Sequence, residues 1–244
     1  GALGFMIGPG GSAIVAKTLG EGDPVRANRY FSMLVYTTVV GGAVLAAAGE
    51  LSLPLVSELL GAEGAMLQDC ILYGRIILAA LPAFMLQNVF QSFMITAEKS
   101  RLGLAVTVAA GLTNMVLDFV FIVPLGWGLA GAAIATAISQ VIGGAVPIVY
   151  FARKNDSLLR LTKAKFEGRI LLRTCTNGSS ELMSNISASI VTMLYNFQLM
   201  RLAGEDGIAA YGVVMYVNFV FSAIFIGYSI GAAPVIGYHY GAQN

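Results

Sequence analysis

The chain has 244 residues, of which 57% are hydrophobic and only 11% charged, against roughly 25% charged in an ordinary soluble domain. That composition excludes a soluble globular fold, and a net charge of +1 gives no clustered basic surface of the kind nucleic acid requires. Gly1–Ala16, Tyr30–Gly49, Ile76–Ala97, Phe119–Ala152, Leu182–Met200 and Gly207–Asn244 contain no Asp, Glu, Lys or Arg. A bilayer core takes about 20 mostly apolar residues as a helix, so the expected fold is an all-α, polytopic transmembrane helix bundle.

In chain order, the first segment runs to Leu19. It opens on Gly1 inside an apolar run with no basic leader and no initiating Met, which reads as a cut helix. Spans are then expected over about Tyr30–Val56, Leu67–Ala97, Leu102–Val123, Gly128–Ala152, Asn177–Leu202 and Ile208–Gly237. The uncharged stretch 119–152 breaks at Pro124-Leu-Gly-Trp-Gly128, where a proline and two glycines make a tight turn and Trp127 suits the headgroup level. Six full spans and a fragment result.

Lys17, Arg26 and Arg29 lie in the first connection, Lys99 and Arg101 in the third, and Arg153, Lys154, Arg160, Lys163, Lys165, Arg169 and Arg173 in the fifth. Arg75 and Arg201 alone face the other way. Lys and Arg gather on the cytoplasmic side, so these three connections are inside. Glu50, Glu58, Glu63, Asp69, Glu205 and Asp206 fall in the opposite loops. Cys70 and Cys175 lie on opposite sides and suggest neither a disulfide nor a thiolate site.

In the fifth connection, Ser157–Arg173 mixes leucines, Phe166 and Ile170 with basic neighbours, as a helix lying in the inner interface does. The alternative is a plain basic anchoring loop. The chain then divides into an amino-terminal lobe, 1–152, an amphipathic basic linker, 153–176, and the start of a second lobe, 177–244. Gly10 to Gly20 and Gly231 to Gly241 match in their outer glycines at an offset of 221, both apolar runs ending at the inner face. A true repeat of this length makes the unit six helices and the complete protein about twelve.

Polar groups inside apolar spans are the candidate site residues. Thr107, Gly111, Asn114 and Asp118 share one helical face, and Thr136, Gln140, Gly143 and Pro147 repeat the spacing on the next span. The turn between these spans is short, so the stripes can face each other. A carboxylate costs about 2.5 to 3.5 kcal/mol at a helix centre by insertion scales, so Asp118 must face a cavity, a partner or an ion. With Asn114 and Thr136 it supplies oxygen ligands suited to Na⁺, or, desolvated, it carries H⁺. The alternative is an interhelical clamp in which a protonated Asp118 donates to Asn114.

Glu181, Asn185, Ser189, Thr192 and Asn196 form a further stripe; Glu181 is equally an acid placed near a helix start for the helix dipole. Asn88, Gln91, Asn218 and Ser222, together with Phe84, Met85, Phe93, Met94, Met215, Tyr216, Phe219 and Phe225, and with Gln140 and Asn185, are candidate wall residues for a cavity that takes an amphipathic organic cation. Ordinary bundle packing is the alternative for each. No phosphate-binding glycine loop, zinc-protease helix or nucleophile elbow occurs, which excludes enzyme chemistry of those kinds and leaves ion gradients as the energy source.

Gly11-Ser12-Ala13 running into Leu19-Gly-Glu-Gly-Asp23 and Arg26-Ala-Asn28, Asn114-x3-Asp118, Gly126-x-Gly128-x2-Gly131-Ala-Ala-x-Ala-Thr136-x2-Ser139-Gln140, Glu181, Gly207-Ile-Ala-Ala-Tyr-Gly212 and Pro234-x2-Gly237-x-x-Tyr240-Gly241-Ala-x-Asn244 together resemble the multidrug and toxic compound extrusion (MATE) family, in its bacterial drug-efflux branch. The resemblance covers the whole chain. It implies a two-lobed transporter of twelve helices, of which this partial chain holds the end of the second through the eighth. It further implies a multi-pass protein of a bacterial cell membrane, monomeric, without cofactors, exporting small organic cations in antiport with Na⁺ or H⁺. Asn114, Asp118 and Thr136 match the family's amino-terminal-lobe cation site, and Glu181 its seventh-helix acid. Two other functions stay open: a lipid-linked oligosaccharide flippase of the same superfamily, and a non-transporting membrane receptor or assembly subunit.

Overall fold

The computed structural model describes residues 2–59 and 64–243, and every regular element among them is helical. The elements are α1 (Ala2–Gly20), α2 (Pro24–Leu59), α3 (Gly64–Thr96), α4 (Ser100–Ile122), α5 (Gly128–Ala152) and α6 (Gly168–Gly241). α6 is one element only in name. Gly204, at φ 63° and ψ −152°, breaks it into two limbs, 168–203 and 205–241, a backbone state that glycine adopts without a Cβ clash. The limbs fold back on each other, and Tyr195 stacks on Tyr211 across them with ring centroids 5.4 Å apart.

These elements answer closely to the expected spans. Asp23 caps α2, its Oδ1 accepting the Arg26 backbone N–H at 2.9 Å, with Pro24 in the first helical position. The turn between α4 and α5 places Gly126 and Gly128 at positive φ, and Trp127 stacks on Phe121 at 5.0 Å. Among the described residues, five helical stretches are long and apolar enough to cross a membrane: Pro24–Glu58, Leu67–Thr96, Ser100–Ile122, Gly128–Ala152 and Ala210–Gly241. The stretch 177–202 is helical but falls outside that set, because Asn185, Asn196 and Gln198 dilute its apolar character. Large apolar side chains face outward on every helix that crosses, among them Val40, Leu72, Met115, Val141 and Phe219. A soluble monomer does not expose so much contiguous apolar surface; the protein is multi-pass in the membrane. Glu63 and the side chains of Glu205 and Asp206, assigned to the outer loops, lie outside the described residues.

The core sits toward the inner end of α2, α3 and α5. Phe31 meets Phe93 and Phe151 edge-on, each at 5.0 Å, and Phe90 stacks on Phe151 at 5.8 Å. Leu159, from the connection that follows α5, is fully buried against the same cluster.

That connection corrects the expectation of an interfacial helix over 157–173. Residues 153–167 are irregular, and helix begins only at Gly168. The backbone N–H groups are satisfied from elsewhere. Asn28, Ser32 and Tyr36 stand one turn apart on one face of α2. The Arg160 N–H donates to Asn28 Oδ1 at 2.6 Å, the Thr162 N–H to Ser32 Oγ at 2.8 Å, and the Tyr36 hydroxyl to the Thr162 carbonyl at 3.3 Å. The segment is a strap laid along that polar stripe, and the stripe, not the strap's own helical propensity, determines its conformation.

The helices approach most closely through glycine. A Cβ added to Gly20 would run into the Tyr238 carbonyl oxygen, and one added to Gly241 into the Lys17 carbonyl oxygen. Lys17 and Tyr238, and Gly20 and Gly241, are equivalent positions at the offset of 221. The contact is therefore reciprocal, as in a two-fold interface, and it places the repeat seen in the sequence on either side of a local axis at the inner end.

Candidate functional site

α4 and α5 are antiparallel arms of one hairpin, so the spacing that puts Asn114 and Asp118 on one face and Thr136 and Gln140 on another brings the two faces together. Asn114 Nδ2 donates to Thr136 Oγ1 at 3.5 Å. Four residues of helix span about 6 Å, so in this hairpin Asp118 lies one turn from that bond toward the α4–α5 turn and Gln140 one turn away from it. Asp118 Oδ1 and Gln140 Oε1 are both sealed from solvent with no hydrogen-bond partner. A buried acceptor without a donor costs about 1–3 kcal/mol, and a carboxylate more. Two such acceptors flanking an amide–hydroxyl pair form an oxygen-rich line that a proton or a hard cation satisfies. The alternative of a clamp in which Asp118 bonds to Asn114 does not form; Asn114 is turned to Thr136 instead. Groups of three or more metal-binding His, Cys, Asp or Glu side chains are absent among the described residues, so any cation held here takes one carboxylate and neutral oxygens.

A second feature is a cavity of about 570 Å³ between the limbs of α6, within the size range of small-molecule sites. Thr192 and Asn196 line it from the first limb, and Met215, Asn218, Phe219 and Ser222 from the second. Its lining carries aromatic rings, a thioether and uncharged amides, and no charged side chain among the described residues. Met215 and Asn218 thus line one cavity. Tyr211 also lines the cavity; it appeared in the sequence only inside a glycine-flanked motif, and nothing local marked it as a cavity residue.

The other candidates lie apart from that cavity. Asn88 is buried where α3 meets Gly4 and Gly8 of α1, and its Nδ2 donates to the Phe84 carbonyl of its own helix at 2.9 Å. Gln91 lies in a crevice among α3, α4 and α5 too narrow for a ligand. Asn185 Nδ2 donates to the Glu181 carbonyl at 2.8 Å, and the Glu181 side chain is exposed. Arg75, inside the expected span Leu67–Ala97, pairs with Glu50 at 3.5 Å between α2 and α3.

The sequence profile of the MatE family matches residues 1–120 and 182–244. Curated relatives include the multidrug export protein MepA of Staphylococcus saprophyticus, 25% identical, and that of Staphylococcus haemolyticus, 26% identical; each match covers 98% of this chain and 53% of the relative. The chain therefore spans about half the length of these relatives. Among solved structures, a multidrug resistance MATE family transporter of the MOP superfamily in an outward-facing conformation superposes with a TM-score of 0.90 at 24% identity, covering 100% of this chain and 54% of the other. A crystal structure of MATE in the straight conformation also superposes at 0.90, at 23% identity, covering 100% and 55%. The helical order, the paired stripes of α4 and α5 and a family profile that spans both ends of the chain agree: this chain belongs to the MatE family.

Proposed function

We propose that this chain is part of a secondary active transporter that exports organic cations in antiport with Na⁺ or H⁺. The observation that carries the reading is Asp118, a carboxylate in the middle of an apolar helix, with one oxygen buried and unpartnered beside the Asn114–Thr136 pair. Intramembrane carboxylates are functional by default. Binding of a proton, or of Na⁺ with Asn114 and Thr136 as further oxygen ligands, neutralises Asp118 and changes how α4 packs on its neighbours, which favours one facing of the transporter; the organic cation favours the other.

The relatives named as multidrug export proteins support the substrate class. So does the uncharged, aromatic and Met-containing wall between the limbs of α6, which suits an amphipathic cation through cation–π contacts and adaptable packing. The same uncharged wall, and the pairing of Arg75 with Glu50, weigh against a flippase for a large anionic lipid-linked sugar, which needs a cationic cavity. The organisation proposed is an amino-terminal lobe over 1–152, a linker over 153–176 and the start of a second lobe over 177–244, acting as a monomer. Glu181 is assigned a supporting coupling role.

Asp118→Asn in the full-length protein tests the assignment. Gradient-driven efflux of a dye such as ethidium falls to background in the variant, while protein level and membrane insertion stay as in the wild type. Unchanged efflux would remove Asp118 from the coupling mechanism.

A further inference from the structure

At the inner end of the molecule, α1, α2 and the two ends of α6 enclose a polar pocket of about 340 Å³, separate from the α4–α5 stripe and from the cavity between the α6 limbs. Three cations line it: Lys17 from α1, Arg26 from α2 and Arg173 from the first limb of α6. One carboxylate, Glu21, stands among them, held loosely by Lys17 at 3.8 Å. Among the described residues no carboxylate pairs with Arg26 or Arg173.

The donors are held in place and not spent. Arg26 Nε donates to the Tyr30 hydroxyl at 2.7 Å, which orients the guanidinium and leaves its terminal N–H groups free. The Lys17 ammonium sits 5.0 Å from the centre of the Tyr240 ring, which is contributed by the far end of α6. Asn177 adds a neutral amide to the lining. A net-positive recess with two uncommitted guanidinium forks matches phosphate oxygens, which such forks bind bidentately. Its volume is at the low end for ligand sites and admits a phosphate group. It also opens at the end where the basic connections gather, the end that meets the anionic leaflet, where basic recesses between transmembrane helices hold lipid headgroups.

We propose that this pocket binds a phosphate group, carried by an anionic phospholipid or present as free phosphate, and that the bound anion ties α1 and α2 to both ends of α6. The reciprocal Gly20 and Gly241 contacts close at the same end. An anion held by residues from all three helices stabilises the arrangement in which those inner ends touch, because it binds that arrangement in preference to any other.

The test uses full-length protein in nanodiscs of phosphatidylcholine, a zwitterionic lipid with no net charge, in buffer without inorganic phosphate, with dioleoyl-phosphatidylglycerol added in one arm and inorganic phosphate in the other, read by native mass spectrometry and by melting temperature. Wild type takes up one lipid, or one phosphate, with a saturable rise in melting temperature. R26Q/R173Q weakens that response by about tenfold, the worth of a charge-assisted hydrogen bond. K163Q/K165Q, on exposed residues of the strap outside the pocket, leaves it unchanged. A response to the lipid alone assigns the headgroup and a response to phosphate alone assigns the free ion; both support the site. No saturable response to either probe, or an equal loss in K163Q/K165Q, overturns it. If R26Q/R173Q does not fold, Arg173→Gln alone carries the test, and unchanged affinity in it overturns the site.

Discussion

Asp118, Asn114 and Thr136 occupy three corners of one small polar region, and their separate roles can be distinguished by substitution. Thr136→Val keeps the shape of the side chain and removes the hydroxyl that accepts from Asn114. If that oxygen is an ion ligand, the concentration of coupling ion giving half-maximal efflux rises by about tenfold, the order expected for one lost oxygen contact to a charge, with the maximal rate less affected. A purely structural hydroxyl lowers the melting temperature and leaves the ion dependence alone. Efflux measured across a Na⁺ series at fixed pH, and a pH series at fixed Na⁺, reads the difference and names the ion. The buried setting of Asp118 was legible because a lone carboxylate in an apolar helix must face a cavity, a partner or an ion, and its partner stripe because a short turn forces two i, i+4 patterns to face. Asn88 and Asn185 were less legible. In a helix an amide four residues after a carbonyl can satisfy itself on its own backbone, as both do, and spacing cannot distinguish that from a side chain that reaches into a cavity.

Among the elements, the strap over 153–167 has the clearest energetic signature. Leu159 is fully buried in the cluster that also holds Phe31, Phe90 and Phe151, and Leu159→Ala is expected to cost about 2–5 kcal/mol through the cavity it leaves. Asn28→Ala removes the acceptor of the Arg160 N–H and is expected to cost about 1 kcal/mol. Both appear as a lower melting temperature with faster proteolysis between Asn155 and Phe166, and Lys163→Gln, on an exposed residue, leaves both unchanged. The basic and apolar mixture of this segment suggested a helix at the interface. Its backbone partners, however, are side chains some 130 positions earlier, and a separation of that size is invisible to any local pattern. The break at Gly204 is the opposite case: the charged residues after Leu202 already separate two expected spans, and the structure puts the reversal at a glycine between them, with Tyr195 stacked on Tyr211 across it.

Across the molecule, α1 and the far limb of α6 approach each other through the reciprocal contacts of Gly20 and Gly241. Gly20→Val and Gly241→Val each place a branched side chain where a backbone carbonyl already stands, so the inner ends must separate. Spin-label distances measured across that end in the full-length protein are expected to lengthen in both variants and by similar amounts, because the two contacts are equivalent under the repeat. A change in only one would show that the reciprocity is not functional. Membrane class, helix order and the family itself were readable from the linear chain, since charge depletion and short turns act over neighbouring residues and the bilayer imposes them directly. The path of the strap, the cavity between the α6 limbs, the anion pocket and the pairing of Gly20 with Tyr238 and of Lys17 with Gly241 were decided only by the tertiary structure. Each depends on groups brought together from distant helices, where shape and the satisfaction of polar groups govern the choice and the hydrophobic pattern is the same for many alternative packings.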